Sequence, residues 1–185
     1  YVLSYYAKLL KIKLSMDNFN IIPIATEKFN INIGRITEES GYISGLAIDT
    51  AIQLALSGEY DAIVTAPINK KSLNLGGYNF TGHTEMLTSI GGAKNTCMIM
   101  LSDIFNIAFA TTHPPLKNVS SLITKKLLLN KIEVCYNMLK NDLGIRKPKM
   151  GVLGLNPHAG DNGFIGDEER KTILPAVNDA MLRYN

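Results

Sequence analysis

The chain holds three histidines, and each stands beside a turn former: His83 in "FTGHTEML", His113 in "ATTHPPLK" and His158 in "LNPHAGDN". Neutral imidazole binds zinc and similar divalent ions, and it moves protons near neutral pH. A loop histidine is equally at home as a polar surface residue. Placement is what singles these out. His113 and His158 follow directly on apolar runs that read as strands, and ligands of open α/β sheets bind at the carboxyl ends of strands. Spacing adds nothing further, because the sequence has no H-E-x-x-H or C-x-x-C pattern. Lys70, with Asn69 beside it in "TAPINK", follows another strand-like run. Its ammonium can bind phosphate or carboxylate, help move a proton, or simply cap a surface turn.

The elements that must carry these residues follow from periodicity. Helical spacing of apolar residues predicts a helix over 1–13, a second over 41–56 closed by Gly58, and a long third through "NVSSLITKKLLLNKIEVCYNML", closed near Gly144. Strands are predicted at "NIIPIA", "YDAIVTAP", "NTCMIML", "NIAFATT" and "KMGVLGL", the third and fourth joined by "SDIF" as a hairpin. "KFNINIGRITEES" reads as an edge strand or a loop. Asp167, Glu168 and Glu169 open a final helix, where the helix dipole favours negative charge, and Pro175 should kink or offset it. Strands alternating with helices give an α/β class: a mostly parallel sheet with helices on both faces, plus an antiparallel member from the hairpin.

Composition sets the bounds. A length of 185 residues with 46% hydrophobic and 19% charged is enough for a packed core and argues against extended disorder. A net charge of +3 without a polybasic run argues against nucleic acid or a membrane surface as partner, and no apolar stretch reaches a membrane span. "RKPK", with Lys147 and Lys149, reads as a solvated connector. Cys97 and Cys135 read as small buried hydrophobes rather than as a disulfide or metal pair, which suits a reducing, cytoplasmic setting. Tyr1 opens in mid-pattern and "NDAMLRYN" stops within a helical pattern, so a piece of a longer protein is expected.

Four stretches in order, "DAIVTAPINK", "FTGHTE", "ATTHPPL" and "GLNPHAGDNGFIGDEE", resemble the 4-hydroxythreonine-4-phosphate dehydrogenases of vitamin B6 biosynthesis. The resemblance implies an isocitrate/isopropylmalate dehydrogenase-like fold, here a single incomplete α/β unit over 1–185. A glycine-rich opening and a C-terminal part found in that family are absent. It implies oxidation of 4-phosphohydroxy-L-threonine by NAD or NADP, with decarboxylation to 3-amino-2-oxopropyl phosphate. It also implies a divalent metal (zinc, magnesium or cobalt) held by three histidines, and a homodimer with the site near the interface. By motif, His113 and His158 match two metal ligands, the third histidine being expected beyond residue 185. His83 and Thr84 match contacts to the small phosphorylated substrate, with Asn69 alongside and Lys70 as a candidate catalytic group. Two alternatives stand beside this one: a paralogue acting on 4-phosphothreonate or 4-phosphoerythronate, and a metal-binding piece that is catalytically incomplete.

Overall fold

The computed structural model describes residues 1–15, 17, 19–24 and 29–184. The chain divides into two compact units, Tyr1–Ala93 and Lys94–Asn185.

In the first unit, α1 (Val2–Leu9) buries none of its residues. The predicted strand "NIIPIA" takes no strand conformation over 20–24, and Ala25 lies outside the described residues. The unit's packed part is α2 (Glu38–Leu56), α3 (Lys70–Leu75) and α4 (His83–Ile90). Helix α2 begins three residues before its apolar stripe because Thr37 caps it: the Thr37 hydroxyl accepts from the Ser40 amide, and Glu38 and Glu39 sit in the first turn. It ends as expected at Gly58, whose φ of +79° costs a glycine little. Ile48 and Ile52 of α2 meet Leu73 of α3 and Met86 of α4 in one apolar cluster, with Ile68, Tyr78 and Phe80 packed around it.

Helices α2 and α3 touch backbone to backbone. A Cβ on Gly41 would lie 1.6 Å from the Ser72 carbonyl oxygen, and one on Gly76 would lie 2.1 Å from the Tyr42 nitrogen. Only glycine permits that approach. The buried Ser72 locks the contact: its hydroxyl donates to the Thr37 carbonyl at 2.7 Å, accepts from the Thr37 amide at 3.1 Å, and meets the Ser40 hydroxyl at 2.9 Å. The linker "YDAIVTAP", expected as a buried strand, is not one. Val64 is 97% exposed, and no ladder forms there.

In the second unit, β1 (Met98–Met100) and β2 (Ile107–Phe109) pair antiparallel with Ile99 opposite Ala108, so the predicted hairpin is present. Ser102 organises its turn, donating to the Phe105 carbonyl and accepting from the Ile104 and Phe105 amides. The long predicted helix is interrupted. It forms α5 (Val119–Leu122), breaks at Ile123 with ψ of 96°, and restarts as α6 (Lys125–Asn137) where the Thr124 hydroxyl accepts from the Leu127 amide. Threonine competes for the backbone in this way wherever it precedes a helix. A π-helical turn, Met138–Asp142, carries the chain on to Gly144 at φ +65°.

The last helix is offset, as Pro175 requires: a π-helical turn, Glu169–Ile173, precedes α7 (Leu174–Tyr184). Leu128 of α6 packs with Ile173 and Ala176, flanked by Ala110, Leu155 and Val177. Lys125 and Asp179 pair across α6 and α7 at 2.8 Å, and the Tyr136 and Tyr184 rings stack at 4.5 Å. "KMGVLGL" forms no strand, and Leu153 is 87% exposed. Among the described residues the one sheet is therefore the β1–β2 pair, and parallel pairing is not seen. Among the described residues the apolar runs at 60–67 and 149–155 meet no strand that could complete a ladder. None of the described helices is long and apolar enough to cross a membrane.

Candidate functional site

Four of the six candidate residues stand at two helix starts in the first unit. Asn69 caps α3, its side-chain oxygen accepting from the Ser72 amide at 2.9 Å. That structural task occupies its acceptor and leaves its NH2 group as the part able to meet a ligand. Lys70 is the first residue of α3 and is exposed. Its chain runs to the start of α4: a Cβ built on Gly82 would lie 3.5 Å from Lys70 Cε and 3.8 Å from Nζ, with Glu85 Oε2 at 3.4 Å. His83 and Thr84, half-buried, are the first two residues of α4. The fold thus brings "TAPINK" and "FTGHTE" together, although nine residues separate them.

His83 carries a signal of its own. Its Nε2 is buried and has no hydrogen-bond partner. A buried ring nitrogen without a partner is costly unless something else supplies one. The preceding Gly82 is approached by the Lys70 ammonium and by the Glu85 carboxylate, at the start of an eight-residue helix whose first amides favour a negatively charged guest.

The other two candidates are on loops of the second unit. His113 lies beyond β2, exposed, with φ +66°. A left-handed residue is uncommon outside glycine, and one directly before a proline such as Pro114 is more so. His158 lies on a loop that coils the wrong way for L-residues: Ala159, Gly160, Asp161, Asn162 and Gly163 all have positive φ, from +43° to +95°. Such strain persists only where surroundings over-determine it. Here the His158 amide donates to Asn156 Oδ1 at 2.9 Å, the Ala159 amide to the Asn156 carbonyl at 3.1 Å, and the Asp161 amide to the His158 carbonyl at 3.0 Å.

A strand was expected to deliver His158, and the structure replaces it with a side chain. Glu169 is buried. Its Oε1 accepts from the Leu155 amide at 2.7 Å, and its Oε2 has no partner. The carboxylate fits against two glycines of the histidine loop: a Cβ on Gly154 would stand 3.1 Å from Oε1, and one on Gly160 would stand 3.0 Å from Oε2. Reading "GDEE" only as dipole charge missed this. The available signal was spacing, since Glu169, Ile173, Ala176 and Ala180 fall on one helical face and all are buried. The neighbouring acids stand at the helix start as expected, and side-chain partners meet them there. Hydrogen bonds from Lys171 and Arg170 hold the Asp167 carboxyl below its usual range, and one from Ser120 does the same for Glu168.

Among the described residues no group of three or more histidine, cysteine, aspartate or glutamate side chains is placed to hold a metal ion. His113 and His158 are exposed imidazoles on loops, and the remaining histidine, His83, stands in the first unit at the start of α4.

Comparison with known proteins gives this arrangement its class. The family described as pyridoxal phosphate biosynthetic protein PdxA matches residues 4–183. A protein named 4-hydroxythreonine-4-phosphate dehydrogenase from a Sulfurihydrogenibium species is 40% identical over 148 residues, covering 80% of this chain and 46% of its own. One of the same name from Bacteroides thetaiotaomicron is 34% identical over 193 residues, covering 96% of this chain and 52% of its own. The crystal structure of the Klebsiella pneumoniae 4-hydroxythreonine-4-phosphate dehydrogenase superposes with a TM-score of 0.78 at 32% identity, over 83% of this chain and 46% of that one. The chain belongs to the PdxA family. It spans about half the length of the curated relatives it matches.

Proposed function

We propose that this chain forms part of an NAD- or NADP-dependent dehydrogenase that oxidises 4-phosphohydroxy-L-threonine, the β-keto acid product losing carbon dioxide to give 3-amino-2-oxopropyl phosphate. The observation that carries this reading is the family match over nearly the whole chain, together with relatives named for that activity.

The residues suit the roles. Lys70 and the first turn of α4 offer positive charge to a phosphorylated, carboxylated substrate, and His83 Nε2 offers the buried nitrogen that lacks a partner. Thr84 and the Asn69 NH2 group add neutral contacts, and Lys70 is also placed to hold or release a proton. His113 and His158 would hold a divalent cation (zinc, magnesium or cobalt) with a third histidine beyond residue 185. When bound, that ion supplies Lewis-acid stabilisation of the alkoxide that forms as hydride leaves. NAD or NADP, when bound, would supply the hydride acceptor, and Glu169 keeps the His158 loop in shape. The exposed apolar runs at 60–67 and 149–155 support a larger, mostly parallel sheet of the isocitrate/isopropylmalate dehydrogenase type, completed by polypeptide from the whole enzyme, in a cytoplasmic homodimer with the site near the interface.

The full-length protein should reduce NAD or NADP with 4-phosphohydroxy-L-threonine when a divalent metal is present. No turnover of that substrate, alongside turnover of 4-phosphothreonate or 4-phosphoerythronate, would transfer the assignment to the paralogous activity.

A further inference from the structure

The two cysteines, read from sequence as unrelated core residues, lie side by side. Cys135 Sγ is 3.9 Å from Cys97 Sγ, across 38 positions of chain. Cys97 precedes β1 and is half-buried; Cys135 is on α6 and buried; both are free thiols. The Cys97 thiol also lies 3.6 Å from the Phe109 carbonyl of β2, so it sits where hairpin and helix meet. Cys97 opens on a cleft of about 410 Å³ that Ile99, Val134, Asn137 and Met138 also line, and Cys135 is not part of that lining. Small oxidants can reach one sulfur from solvent, while the other waits behind it.

We propose that Cys97 and Cys135 form an oxidation site that closes to an intramolecular disulfide. In the first step a peroxide oxidises the Cys97 thiolate: the O–O bond breaks, an S–O bond forms, and hydroxide leaves and is protonated to water. In the second step Cys135 sulfur attacks the Cys97 sulfenic acid; the S–O bond breaks, the S–S bond forms, and a second water leaves with the Cys135 proton. Two thiols lose two electrons and two protons, and one peroxide becomes two waters. The order follows from environment: burial, then the neighbouring Cys97, pushes the Cys135 thiol up to about 12, which leaves the more accessible Cys97 as the group attacked first. Closure draws the sulfurs together by about 2 Å, tying the start of β1 to the last turn of α6.

The test is stoichiometric hydrogen peroxide on the reduced, intact protein, followed by thiol titration and a non-reducing peptide map. Loss of both thiols, a mass decrease of about 2 Da and one cross-linked peptide joining Cys97 to Cys135 are expected. Cys135→Ala should halt at a sulfenic acid on Cys97 that a dimedone probe captures, whereas the wild-type protein should show little capture. The mapping of the wild-type protein does not depend on that variant folding. Two titratable thiols surviving treatment, or a wild-type Cys97 passing to sulfinic acid as fast as in Cys135→Ala, would overturn the proposal.

Discussion

The two units hold their candidate residues by opposite means. In the first, Lys70 starts α3, which glycine contacts and the Ser72 hydroxyl lock to α2, and His83 and Thr84 start α4, which packs on the same core through Met86. Their positions derive from packing. In the second, His113 and His158 stand on loops with left-handed backbone, the His158 loop held by local hydrogen bonds and one buried carboxylate. Their positions derive from backbone conformation. Packing spreads the cost of holding a residue over many contacts. A strained loop concentrates it in a few polar atoms, so single changes there should disturb the site more than the fold.

The largest effect should come from the packed side. Gly41→Ala places a methyl 1.6 Å from the Ser72 oxygen, which α2 and α3 can relieve only by separating. A loss of about 3 kcal/mol is expected in urea unfolding, with His83 displaced along with α4. An unchanged midpoint would break the contrast at its first term. Next is the brace. Glu169→Ala leaves the Leu155 amide without its acceptor, at a cost of about 1–3 kcal/mol. Faster exchange of that amide is predicted, with little effect on the first unit. Glu169→Gln, which keeps an oxygen at the same place, should restore most of the protection. The smallest effect belongs to the exposed charges at the start of the last helix. Asp167 and Glu168 have carboxyl pKa values lowered in the folded chain, so their contribution is present above the ordinary carboxylate range of about 4 and disappears as pH falls below it. Asp167→Asn should slightly flatten the acid side of a stability–pH profile, and added salt should do likewise. A steeper profile in the variant would show that the sign is wrong.

The same contrast explains what could be read from sequence. Helix α2, the hairpin, the stop at Gly58 and the offset at Pro175 all rest on local chemistry, and local chemistry is legible. The strands at 60–67 and 149–155 were read from apolar, β-branched composition, which reports a wish to be buried and says nothing about whether a pairing partner is at hand. The break at Thr124 was hidden because the apolar stripe continues across it. Of the candidate residues, types and motifs were visible from the start. The proximity of Lys70 to Gly82, the unpartnered His83 nitrogen and the Glu169 brace were not, because each depends on what folding places opposite a residue. The cysteines make the same point, since spacing along the chain gave no sign of sulfurs 3.9 Å apart.

We propose that the left-handed loops present His113 and His158 to one divalent cation. Cobalt(II) titration of the full-length protein, followed through the visible absorption of the ligated ion, tests it most directly. His113→Ala and His158→Ala should each weaken binding by about tenfold or more, and the double variant should lose little beyond the worse of the two. Wild-type affinity in either single variant would contradict the account.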